Sequence, residues 1–188
     1  MADGTKNINV GNPLDAAGAI FGAVSGTEVP TSAKATLGSE FKKMGYVSEE
    51  GVKNAFASTT QEIPAWGGDI VYTAQTSYKE TFAMKFIETN INVLKEFYGD
   101  ANVELKNGEL HIGHKNVELP AHPWVIDMAW RDEEAEDKVK RIVIPNAKVG
   151  ERGEMVYDGK TPVGYAITLS ALPDATGFTA HEYIAAVE

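Results

Sequence analysis

The 188-residue sequence has no cysteine, which excludes disulfide frameworks, thiolate metal sites and cysteine nucleophiles together. That suits synthesis in a reducing compartment. Long apolar runs are missing too: the most apolar early stretch, residues 16–24, is too short to cross a bilayer. Met1-Ala2-Asp3-Gly4 carries no basic n-region, which argues against a secretory signal. Basic residues are scarce, with 17 Lys and Arg against 27 Asp and Glu, a net charge of −10. A surface of that sign repels phosphate backbones, which argues against a sequence-reading nucleic-acid binder. The same repulsion would help a channel through which DNA slides, so composition alone does not choose between a conduit and an ordinary acidic protein.

Catalytic signatures are also lacking. There is no Gly-x-Ser-x-Gly elbow, and no Gly-rich loop follows a strand and opens a helix. His111-Ile112-Gly113-His114 has the letters of a class I aminoacyl-tRNA synthetase signature, but it lies on the outgoing strand of a predicted hairpin and no helix follows. His111, His114 and His122, with a carboxylate such as Glu109 or Glu118, are candidate metal ligands, and the Asp132–Asp137 run lacks the glycine and spacing of a calcium loop. Residues three apart on a strand point to opposite faces, so the first two histidines cannot converge without a bend. The expectation is no cofactor and no metal.

What is present fits one domain with extensions. A hydrophobic fraction of 43% suffices for a packed core. Residues 1–38, rich in Gly, Ala, Ser, Thr and Asn and broken by Pro13 and Pro30, hold no sustained apolar period. They still carry Leu14, Ile20, Phe21, Val24, Val29 and Leu37, more large residues than a free tail needs. The segment therefore reads as an extended arm burying those residues against its own domain or a neighbouring subunit, with residues 39–188 as the folded body.

Strand-like composition recurs through that body. An orderly stretch over 41–48 leads into a turn-like 49–52, and 56–63, 70–76 and 81–88 read as strands around a turn at Trp66-Gly67-Gly68-Asp69. One helix is predicted, capped by Thr89 or Asn90, with Ile91, Leu94 and Phe97-Tyr98 at helical spacing and Gly99 at its end. Asn107-Gly108 between two alternating runs is the strongest local signal, because a type I′ turn needs positive φ at both central positions. Trp124, Ile126, Met128 and Trp130 alternate as one buried face. Strands over 139–144, 163–172 and 178–184 complete about eight strands with no strand–helix alternation, which predicts a mainly β sandwich or barrel.

Two further features bear on function. Asp132, Glu133, Glu134, Glu136 and Asp137 form an acidic run, read as a solvated loop that becomes a negatively charged surface if the domain assembles. Trp66, between Pro64 and Gly67-Gly68, is the most exposed tryptophan candidate, a contact for an interface or, alternatively, for a carbohydrate.

The ordered likenesses point to a family. They are residues 13–21 and 26–31, 45–52, Ala65-Trp66-Gly67-Gly68-Asp69, the helix region 86–99 and the terminal 168–174. On these, the chain resembles the major tail (tail tube) proteins of siphophages along nearly its whole length. The resemblance implies a β-sandwich with a flanking helix, no enzymatic activity, and hexameric rings that stack into a tube in the virion tail. It implies a tape measure protein inside the tube, tail terminator and distal tail proteins at its ends, assembly in the host cytoplasm, and DNA passing without sequence-specific binding. Arms and long loops would bridge subunits, which nominates Leu14, Ile20, Phe21, Val29, Tyr46 and Trp66 as interface residues.

Overall fold

The computed structural model describes residues 8–15, 18–131 and 137–187. Among these residues eleven strands and one α-helix are formed: β1 (Val10–Pro13), β2 (Ile20–Gly22), β3 (Lys42–Lys43), β4 (Val47–Pro64), β5 (Ile70–Phe86), α1 (Ile91–Tyr98), β6 (Val103–Lys106), β7 (Glu109–Ile112), β8 (His122–Arg131), β9 (Asp137–Arg152), β10 (Tyr165–Ala171) and β11 (His181–Ala186). Nine strands make one antiparallel sheet in the order β3-β2-β8-β9-β10-β5-β4, with β1 also on β8 and β11 also on β9. The β6–β7 hairpin stands apart, turning at Asn107 (φ 54°) and Gly108 (φ 80°) as the Asn-Gly pair predicts. The body is mainly β and sandwich-like, with a single helix against it.

Strict alternation over β10 explains how the core forms. Tyr165, Ile167, Leu169 and Ala171 are buried, while Ala166, Thr168 and Ser170 are half-buried on the other side. The buried set packs with Phe82, Met84 and Phe86 of β5, Trp124 and Ile126 of β8, Ile142 and Ile144 of β9, and Val93, Leu94 and Phe97 of α1. Helix α1 has the predicted cap: Asn90 Oδ1 accepts from Val93 N at 3.0 Å, and Asn90 Nδ2 donates to Met44 O at 3.1 Å. Thr89, the other cap candidate, instead meets the Tyr165 hydroxyl at 3.1 Å. Asn90→Ala removes these two contacts and a third, from Nδ2 to Glu88 Oε1 at 3.3 Å, and is expected to cost about 1–2 kcal/mol, read as a lower denaturant midpoint at unchanged m-value.

Several expectations are corrected. The turn expected at 49–52 is part of β4. Between Val47, opposite Phe86, and Val52, opposite Met84, β4 advances five residues while β5 advances two, so the extra residues bulge out with Gly51 at φ 66°. The glycine is what made the segment read as a turn. Strands β1 to β3 escape a sequence reading because they hold four, three and two residues, too few to show a period.

Strand β8 was expected to bury one face and buries both. Val125 and Asp127, opposite to Trp124 and Ile126, are as enclosed as they are. The loop over residues 24–41 covers them, forming a second small core of Ala23, Phe41, Val125 and Val143 with Phe21, Val29 and Leu37 against it. Trp130, expected on the buried face, is half-buried, with Lys140 Nζ 4.5 Å from its ring centroid. The acidic run at Asp132, Glu133, Glu134 and Glu136 lies outside the described residues. So does the side chain of Asp137, whose backbone opens β9.

The loop is held from beneath by a buried ion pair. Arg141 donates from Nε to Asp127 Oδ1 at 2.6 Å and from Nη2 to Oδ2 at 2.8 Å. Its remaining nitrogen donates to the carbonyls of Ser32 (3.1 Å) and Ala35 (2.5 Å). One guanidinium thus ties β9 to β8 and the loop to both, a fork geometry that lysine does not offer.

Candidate assembly site

The β4–β5 ladder runs far beyond the body. From Lys53 to Lys79 every residue is exposed except Ala74, which is half-buried. At about 3.3 Å per residue the arm from Lys53 to the tip reaches about 40 Å. Its register is regular from Lys53 opposite Ala83 through Thr59 opposite Ser77 and shifts twice toward the tip, between Thr59 and Thr60 (opposite Gln75) and between Ile63 and Pro64 (opposite Ile70).

Glu80 anchors the arm where it leaves the body. It is 5% exposed, accepts from Asn54 Nδ2 at 2.8 Å and takes a second hydrogen bond from the Thr179 hydroxyl. A buried carboxylate with two donors is satisfied, and here those donors come from β4 and from the turn before β11.

The arm is more apolar than a solvated hairpin should be. Phe56, Ile63, Trp66, Ile70, Val71, Tyr72 and Tyr78 are all exposed. They lie on both sides of the ladder. Phe56 and Tyr78, with ring centroids 6.4 Å apart, continue the side that carries Phe82, whereas Ile63 is opposite Tyr72 on the other side. At the tip Ala65 N donates to Asp69 O (2.7 Å) and Gly68 N to Ala65 O (2.9 Å), with Gly68 at φ 92°. Trp66 sits on this turn and is fully exposed. An isolated two-stranded hairpin is marginal in water, and contiguous exposed apolar surface marks a contact site.

The long edge adds a second kind of contact. Among the described residues β4 pairs only with β5, so an 18-residue strand presents an unpaired row of amides and carbonyls. β5 pairs with β10 only over residues 80–86, leaving 70–79 open on that side. Long unpaired edges are templates for another chain.

The residues nominated from sequence divide. Leu14, Tyr46 and Trp66 are exposed. Phe21 and Val29 are half-buried against Val125 and Val143, and Ile20 is 1% exposed in the main core. Ile20 therefore has no surface to offer in this conformation, and Phe21 and Val29 have little. The aromatic and aliphatic side chains along the arm were missed. Their residues looked like ordinary strand interior, and only the depth of the hairpin shows that nothing of the same chain covers them.

The histidines take separate places. His111 lies exposed on β7 opposite Glu104, and His114 sits 5.0 Å from the Tyr98 ring. His122 is buried, stacks on Trp124 at 5.0 Å and pairs with Glu96 Oε2 at 2.8 Å. Among the described residues no three His, Asp or Glu side chains form a metal-holding group. Burial opposes charging His122, but the hydrogen bond and charge of Glu96 outweigh it and hold its pKa above the ordinary histidine value of 6.5. A raised folded-state pKa stabilises fully below the unfolded pKa and is lost as pH rises through the folded one. The protein is therefore expected to lose stability as pH climbs above about 6.5, and His122→Gln to flatten that slope, both read from denaturation midpoints between pH 5.5 and 8.5.

Among the described residues, a long exposed apolar hairpin and an unpaired strand edge offer surface suited to contact with other chains. The family model for phage tail tube proteins matches residues 11–186. The chain belongs to the phage tail tube protein family. That span takes in the hairpin, the helix and every strand but the first residue of β1. No curated protein matches the chain. As a tail tube protein it is a structural component of a phage tail, and the carbohydrate reading of Trp66 is set aside in favour of a tail tube role. No helix among the described residues is long and apolar enough to cross a membrane.

Proposed function

We propose that this tail tube protein polymerises through the β4–β5 arm into hexameric rings that stack as a tube around a tape measure protein, and that DNA later passes through the lumen. The carrying observation is the arm itself: 27 residues, 53–79, of which all but Ala74 are exposed, with large apolar side chains on both sides of the ladder. A monomer gains nothing from such an arm, because ordering it costs about 1–2 kcal/mol per residue in backbone entropy with little burial in return. Neighbouring copies supply the burial. Edge pairing along β4 removes the open row of backbone groups, and ring closure leaves no terminal edge.

Leu14, Tyr46 and Trp66 remain the nominated contacts, joined by Phe56, Ile63, Tyr72 and Tyr78. The acidic residues Asp132 to Asp137 are proposed to lie on a surface of the assembly. Tail terminator and distal tail proteins would close the two ends, assembly would occur in the host cytoplasm before the tail joins the virion, and no cofactor or reaction is required. Replacing residues 57–79 by a two-residue turn, which joins Phe56 to its partner Glu80 and keeps Asn54 on that carboxylate, tests the reading. The shortened chain is expected to remain folded and to sediment as a monomer at concentrations where the full chain forms large species. A shortened chain that still polymerises would remove the arm from the account.

A further inference from the structure

Asn107-Gly108 is the one Asn-Gly pair in the chain. It turns the β6–β7 hairpin, whose strands pair only with each other, from Lys106 opposite Glu109 to Val103 opposite Ile112. Residues 104–111 are all exposed. A two-stranded hairpin of this kind is marginal in water, so its tip opens at low free energy while the main sheet stays closed. The Asn107 amide has no hydrogen-bond partner among the described residues. By contrast, the amides of Asn54, Asn90, Asn92 and Asn102 donate to Glu80, Met44, Lys43 and Tyr98. Gly108 has no side chain to shield its nitrogen, and nothing lies within 4 Å of where one would stand.

We propose that Asn107 is a self-modification site, at which the Gly108 backbone nitrogen and solvent water convert the side-chain amide into a carboxylate. Once the turn opens, that nitrogen reaches Asn107 Cγ. A Cγ–N bond forms and the nitrogen gives its proton to solvent base. The Cγ–Nδ2 bond breaks as Nδ2 takes a proton, releasing ammonia and leaving a five-membered imide. Water then adds to one of the two imide carbonyls. Opening at Cγ gives aspartate, and opening at the backbone carbonyl gives isoaspartate, whose main chain runs through the side-chain methylene. Nothing is oxidised or reduced: amide and water become carboxylate and ammonium.

Position selects the site as much as sequence does. Asp158-Gly159 could form the same imide. Its carboxylate accepts from Lys160 N at 2.8 Å, Thr161 N at 2.7 Å and the Thr161 hydroxyl at 2.9 Å, and these bonds hold its pKa below the ordinary aspartate value. An ionised, tethered carboxylate is a poor target for a nitrogen nucleophile. At Asn107 the isoaspartate form adds a backbone atom to a two-residue turn, so the rungs beside it part. Fraying stops at Asn102, whose amide donates to Tyr98 O and Lys115 O, both at 2.8 Å. The modification therefore loosens the hairpin and leaves the core intact.

Peptide mass spectrometry of the folded full-length protein, aged in warm, mildly alkaline buffer, tests this, with electron-based fragmentation to separate isoaspartate from aspartate. Asn107 is expected to convert at least roughly tenfold faster than any other asparagine, and than Asp158 isomerises, a difference of about 1.4 kcal/mol in barrier. Folded protein that keeps Asn107 while urea-unfolded protein loses it would show that the closed turn protects the amide, and would overturn the proposal. So would Asp158 or another asparagine reacting as fast. The isoaspartate form, separated by ion exchange, is expected to exchange its hairpin amides faster than fresh protein does, with β10 and α1 unchanged. Hairpin exchange equal to that of fresh protein would overturn the loosening.

Discussion

Trp66→Ala is expected to leave the monomer intact and to disable polymerisation. The indole is fully exposed on the turn at the hairpin tip and touches no core residue, so its removal should shift unfolding by no more than about 0.5 kcal/mol. Assembly is a different matter. Tryptophan is among the residues that dominate contact energies when seated in a partner, and truncating such an anchor typically costs 2 kcal/mol or more. At about 1.4 kcal/mol per tenfold, the concentration at which tubes appear should rise roughly thirtyfold. Sedimentation velocity across a concentration series reads this, with thermal unfolding of the dilute protein as the control. Unchanged assembly would show that the tip is free in the tube and that the arm acts through its sides alone.

Arg141→Ala is expected to produce the opposite pattern, a large loss of fold stability. Asp127, 5% exposed, would keep its charge and lose both guanidinium bonds, and the carbonyls of Ser32 and Ala35 would lose their donor. Breaking a buried pair by removing one member costs about 3–5 kcal/mol, because the remaining charge is left uncompensated. For a chain of this size that corresponds to a fall in Tm of roughly 6–20 °C, a large part of the 5–15 kcal/mol that a typical domain has. Replacing both partners with apolar residues, Asp127→Leu with Arg141→Met, should recover much of the loss, since it leaves no unpaired charge. A double variant as damaged as the single one would mean that the loop contacts at Ser32 and Ala35, and not the ion pair, carry the stability.

These two residues also show what a sequence reveals and what it withholds. Trp66 was legible because it lies in a short local pattern, a proline and two glycines around an aromatic, and local turns are set by neighbouring residues. The Asn107-Gly108 hairpin and the Asn90 cap were legible for the same reason. Arg141 was not. Its partner is 14 residues away and the carbonyls it holds are more than 100 residues away, so no window along the chain contains the interaction.

The arm was half legible. Its strand composition around residues 56–63 and 70–76 could be read, but its apolar residues follow no clean alternation. Alternation arises when one side faces a core and the other water, and here large apolar groups lie on both sides, as Phe56 with Tyr78 and Ile63 with Tyr72 show. Within residues 18–41, rich in Gly, Ala and Ser, Ile20, Ala23 and Ala33 are buried, because small residues let the loop lie close over β8 and β9.

The central claim is that the chain completes its structure by joining copies of itself into a tube. Negative-stain electron microscopy of the purified full-length protein, concentrated at near-neutral pH and moderate salt, tests it most directly. The account predicts rings or hollow tubes of uniform width that vanish in the chain with the shortened hairpin. Dispersed monomers of the full-length protein at every concentration and salt condition would contradict it.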